Sequence, residues 1–136
     1  MKARGSIGGM APINPATAVY EVSDQLLAEY GLRRGVVALS AYSCADSDAV
    51  LISLAELRVP AHRGLAPDRL RRILLAVSTR KPLPAVPLFR EPNCAIVLDG
   101  MHRYAVAAAV GYSSLPCLSL PLEEARDIYL YPEGQR

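Results

Sequence analysis

Residues 96–112, Ile-Val-Leu-Asp-Gly-Met-His-Arg-Tyr-Ala-Val-Ala-Ala-Ala-Val-Gly-Tyr, constrain the fold of this chain more than any other stretch. The apolar run Ile96–Leu98 suits a buried strand, and Asp99-Gly100 a sharp turn. Residues 101–110 suit a helix that stops at Gly111, with Ala105, Ala107, Ala108 and Ala109 letting it lie close to a sheet. Such a junction leaves the N–H groups of Met101, His102 and Arg103 without intrahelical partners at the positive end of the helix dipole. That is an oxyanion site. Arg103 adds a planar fork that matches phosphate oxygens, and His102 donates or accepts near neutral pH. Asp99 is placed to cap the turn or to orient either of them. The plain alternative is a common turn in which Arg103 pairs with Asp99 across one helical turn.

The remaining pattern predicts alternating strands and helices. Residues 66–81 read as a helix, with Pro67 at its first position, Asp68 at its positive end and Leu70, Ile73, Leu74 and Val77 as one apolar stripe. Arg69 and Arg72 flank that stripe near the helix start. Residues 36–42, 50–57, 85–90, 95–98 and 115–120 read as strands, the second running into a short turn. Pro87 argues for an edge position or a break in pairing. Val22, Leu26, Leu27 and Tyr30 predict a helix ending at Gly31 or Gly35, and the tail opens as a short helix. Asp46 and Asp48 fall in a turn-rich loop and read as solvated.

This order gives one α/β (α+β) domain, a small mixed sheet with packed helices. Its 136 residues suffice for a single core. We divide the chain into a flexible N-terminal arm (1–17), an extension of unknown role (18–49), a main unit (50–120) and a C-terminal tail (121–136). Three cysteines, Cys44, Cys94 and Cys117, form no C-x-x-C pair, which argues against a disulfide framework or a four-ligand zinc site and for the cytoplasm. No apolar run is long enough to cross a bilayer, and the N-terminus lacks a secretory pattern. The net charge is only +2, yet between Arg58 and Lys81 the bases Arg58, Arg63, Arg69, Arg71, Arg72, Arg80 and Lys81 face one acid, Asp68. Such a cluster suits phosphate, or else a solvated helix face.

Residues 50–120 resemble the ParB/sulfiredoxin-like superfamily. The run from Val97 to Pro116 matches V-L-D-G-x-H-R-Y-x-x-A-x-x-x-G-x-x-x-x-P, and the preceding strand, helix and strand fall in the family's order. The resemblance implies a bowl that grips phosphate or nucleotide through Gly100, Met101, His102 and Arg103. Arg69 and Arg72 are then a second clamp, with Arg63 beside them. Met101 stands where sulfiredoxins carry their nucleophilic cysteine, which argues against that activity. No helix-turn-helix reader follows, as it does in ParB proteins, so DNA is a doubtful partner.

The motif is most similar to that of the free-serine kinase branch, which has D-G-H-H-R-Y where this chain has D-G-M-H-R-Y. That likeness implies a small-molecule phosphotransferase using ATP or ADP with Mg²⁺. The stretch corresponding to the kinases' basic glutamate has none, leaving His62 or the earlier Glu56 as candidate bases beside Asp99 and His102. No residues have convincing spacing as protein ligands of a metal. The expected function is therefore a phosphate- or nucleotide-binding protein of phosphotransferase type, its partner a nucleotide or phosphorylated small molecule. The alternatives are a non-enzymatic nucleotide-sensing or nucleic-acid-binding module, and an interaction domain forming a homo-oligomer through residues 18–42.

Overall fold

The protein's computed structural model describes residues 12–13, 22–37, 39–60 and 65–130. Helix α1 (Asp24–Glu29) starts where the Ser23 hydroxyl accepts the Leu26 N–H at 3.1 Å, with Asp24 complementing the dipole in the first turn. It ends because Gly31, at φ +73°, turns the chain back and brings the Leu32 N–H onto the Leu27 carbonyl. Leu27 is fully buried, so this short helix is held by packing more than by propensity.

Strand β1 (Pro12–Ile13) is followed by β2 (Val50–Ser53), a 3₁₀ turn (Leu54–Glu56) and β3 (Leu57–Pro60). Helix α2 (Pro67–Thr79) then leads to β4 (Val86–Glu91), β5 (Cys94–Val97), α3 (Met101–Val110), β6 (Ser114–Ser119) and α4 (Leu122–Leu130). The six strands form one mixed sheet in the order β1-β3-β5-β4-β6-β2. β4 and β5 make an antiparallel hairpin from Leu88↔Val97 to Glu91↔Cys94, closed by the two-residue turn Pro92-Asn93. β3 runs parallel to β5 and β4 parallel to β6, so α2 and α3 both lie within crossovers between parallel strands.

Two apolar clusters hold the layers. The larger contains Leu57, Leu74, Leu88, Val97, Val106 and Leu115, joined by Val22, Leu27 and Tyr42 of the extension. The smaller sets Phe89 and Leu98 against Ala125 of α4. Leu88 and Phe89 are neighbours on β4 and point to opposite faces, so this strand is buried on both sides. Each fully buried leucine contributes roughly 1.5–3 kcal/mol relative to exposure. Among the described residues, no helix is long and apolar enough to cross a membrane.

Several expectations are corrected. Residues 36–42 form no strand where described: Val36 and Leu39 are exposed, and the chain passes in bends, with Ser40 accepting from the Ser113 and Ser114 amides. The strand running into a short turn over 50–57 is found as β2 and the 3₁₀ turn, but a further strand, β3, follows at once, because the turn carries the chain from one edge of the sheet to the β5 side. Of the two readings of Pro87, the break in pairing holds and the edge position does not, since β4 lies between β5 and β6. The proline is tolerated because the β5 ladder ends at Leu88; the Pro87 carbonyl takes the Leu98 N–H, and the missing donor falls beyond the ladder. Within the arm, Pro12–Ile13 pairs antiparallel with β3. Ala108 is exposed, while Ala105, Ala107 and Ala109 are buried.

Candidate oxyanion site

The junction after β5 is built as its residues require. Gly100 has φ +136°, and a Cβ there would stand 3.1 Å from a Val86 methyl and 3.2 Å from Arg103 Nη2. Only glycine combines this backbone with that fit. Helix α3 starts at Met101 without a side-chain cap, so the expectation that Asp99 caps the turn is not met. The Asp99 carboxylate is half-buried and makes no hydrogen bond or ion pair among the described residues. Met101 packs partly against the main core.

Arg103 differs most from expectation. Its Nη1 donates to the carbonyls of Pro84 (2.8 Å) and Ala85 (3.1 Å), and its Nη2 to that of Asp99 (3.2 Å). The fork expected to grip phosphate is spent on backbone, and neither is it paired with the Asp99 carboxylate. Arg103 braces the β5–α3 turn against the start of β4, where three carbonyls would otherwise lose a charged donor.

His102 is buried, at 8% exposure. Its Nε2 accepts the Ala66 N–H at 2.7 Å. A nitrogen that accepts carries a lone pair, so the imidazole is neutral with its proton on Nδ1. Ala66 is the N-cap of α2, another helix start without a side-chain cap. The two helix starts are thus stitched together by a bond between residues 36 positions apart. Each leaves first-turn amides for an outside acceptor.

Of the expected second clamp, Arg69 is half-buried in the first turn of α2 and Arg72 is exposed one turn on. Arg71 is turned to Glu29 at 2.8 Å. His62 and Arg63 lie outside the described residues. Glu56 is corrected as a candidate base: it pairs with Arg90 at 3.1 Å, at the end of the sheet where β5 begins. The oxyanion turn follows the other end, about 13 Å away for a four-residue strand.

Beneath the turn lie groups that the sequence reading left out of the site, and Asp46, expected to be solvated, is half-buried. Asp46 Oδ2 accepts the Ala85 N–H at 2.7 Å, so this acid anchors the 43–49 loop beside the carbonyls that Arg103 braces. Its partner is 39 residues away, and no local signal marks it. The Tyr42 hydroxyl is buried beside the Arg103 guanidinium but makes no hydrogen bond of good geometry among the described residues, its ring edge-on to Tyr112 at 6.2 Å. Burial pushes this phenol well above the ordinary tyrosine value, with the Arg103 charge opposing. Burial likewise pushes the Cys117 thiol up to about 12, again against Arg103. Among the described residues, no group of three or more His, Cys, Asp or Glu is gathered as a metal would need.

No family model matches the chain, and no curated protein matches it significantly.

Proposed function

We propose that this protein binds phosphate or a nucleotide where the starts of α2 and α3 meet, and that small-molecule phosphotransfer is the reaction such a site would serve. The observation that carries the reading is the juxtaposition of two helix starts without side-chain caps, stitched by His102 and Ala66. Amides of the first turn of α3 and both dipoles favour an oxyanion there. Arg69 in the first turn of α2 and Arg72 one turn on add cationic charge to that helix start. Gly100 permits the turn, packed closely on Val86 and Arg103, and Arg103 braces it through the backbone carbonyls.

A nucleotide would bring Mg²⁺ on its own phosphates, where the ion would offset their charge. Asp99 is the carboxylate at this turn, and with no partner among the described residues it is placed to orient an attacking hydroxyl. The second reading, a nucleotide-sensing module without chemistry, is favoured by one specific finding: Glu56 is held by Arg90 at the wrong end of the sheet.

Thermal unfolding with phosphate, ADP, ATP and CTP, each with and without Mg²⁺, tests the site. Binding at a hundred times Kd should stabilise the protein by about 2.7 kcal/mol. If none of these ligands moves the transition, the reading is lost. Product detection with ATP and small hydroxyl compounds then separates transferase from sensor.

A further inference from the structure

We infer that His102 is a positioning residue of the oxyanion site and not one of its ligands. Through Nε2 it holds the start of α2 at a fixed distance from the start of α3. This inference rests on the oxyanion reading above and assigns a different task to a residue that the sequence pattern places among the phosphate contacts.

The argument begins with the single lone pair of a neutral imidazole. At Nε2 that pair is committed to the Ala66 amide at 2.7 Å, so Nε2 has no proton to give a phosphate oxygen while the bond stands. The ring is also buried, at 8% exposure, inside the helix pair and not at its rim. Ala66 directly precedes Pro67, which has no N–H, so the Ala66 amide is the last donor ahead of the helical amides and pins the chain where it enters α2. What the bond secures is the placement of Arg69 and Arg72 relative to the α3 amides. Donors on two separate helices grip one anion well only when their spacing is fixed beforehand, and a shift of an ångström costs heavily.

The test uses the whole chain with inorganic pyrophosphate as probe, in three forms: wild type, His102→Leu and His102→Gln. Glutamine places a carbonyl oxygen near the Nε2 position and can accept the Ala66 amide; leucine cannot. Calorimetry should find His102→Leu at least about tenfold weaker and His102→Gln near wild type. In the wild-type protein, ¹⁵N spectra should show the ring protonated at Nδ1 and a coupling across the hydrogen bond between Ala66 N and His102 Nε2.

Three results overturn the inference. One is wild-type affinity in a folded His102→Leu protein. The next is a folded His102→Gln protein as weak as the leucine variant while its Ala66 amide stays protected from exchange, since the ring would then touch the anion itself. The last is a wild-type ring protonated at Nε2. Should wild type bind no pyrophosphate although the ¹⁵N coupling is present, the oxyanion reading falls and His102 is a structural strut alone. If His102→Leu does not fold, the glutamine variant and the wild-type spectra still decide.

Discussion

Arg103 Nη1 donates to the Pro84 carbonyl at 2.8 Å, joining the first turn of α3 to the approach to β4, 19 positions earlier. The same guanidinium reaches the Ala85 and Asp99 carbonyls. Removing it strands those acceptors in a partly buried place. Arg103→Ala should therefore lower stability in urea by about 2–3 kcal/mol. Arg103→Lys should recover only part of that, because an ammonium cannot span three carbonyls in a plane. An unfolding midpoint unchanged in Arg103→Ala would falsify the bracing role.

Gly111 and Gly35 touch backbone to backbone. A Cβ on Gly111 would fall 2.8 Å from Gly35 Cα, and Gly111 has φ +103°. The Gly35 N–H also donates to the Ala109 carbonyl, so this contact docks the extension on the C-terminal end of α3. Gly111→Ala should cost about 1–3 kcal/mol, read from thermal or urea unfolding. Gly31→Ala offers a comparison. It has positive φ and open space around its Cβ position, and should cost less.

The alkaline limb of stability should be set from within the core. The Cys117 thiol rises from 9.0 to about 12 on folding, and the Tyr42 phenol is also raised. Both folded-state values lie above the unfolded ones, so the folded protein keeps protons that the unfolded chain has given up. Their contribution is whole below pH 9 and drains away as pH climbs toward 12. Urea midpoints measured from pH 8 to 11 should fall, and the fall should be shallower in Tyr42→Phe. In the native protein at pH 8, Cys117 should resist alkylation that succeeds in urea.

Tyr42→Phe also has a consequence at neutral pH. The substitution deletes a buried hydroxyl that lies by Arg103 without a hydrogen bond of good geometry among the described residues, and keeps the ring against Tyr112. Stability at pH 7 should be unchanged or higher by about 1 kcal/mol. A loss of 2 kcal/mol or more, on the scale of a buried group's lost partner, would reveal a partner for the hydroxyl and count against this account.

Glu56→Gln separates sheet edge from site. The Glu56–Arg90 pair is about half exposed, so breaking it should cost under about 1 kcal/mol. Pyrophosphate affinity and any phosphotransfer should stay at the wild-type level. A large loss of either would return Glu56 to the list of candidate bases.

Much of the fold was legible in the chain because its signals are local. Pro67 and Asp68 announce the start of α2, and Gly111 announces the end of α3; both helices lie within a residue or two of where the periodicity puts them. Residues 36–42 misled because β-branched and apolar character says nothing about whether a neighbouring strand has an edge to offer. Pro87 signalled the break in pairing that is found where the β5 ladder ends, but not the central place of its strand. Its cost depends on which side of the strand lacks a ladder, and register alone decides that.

At the site, sequence by itself determined the parts: a glycine turn, a helix start with free amides, and arginines early in the preceding helix. These follow from backbone geometry and from residue types a few positions apart. Only tertiary structure decided their assignments. Arg103 faces three carbonyls, His102 holds an amide 36 residues distant, and Glu56 stands at the far end of the sheet. A side chain's partner is chosen by what the fold brings within about 3 Å, and contacts between remote segments leave no trace in local spacing.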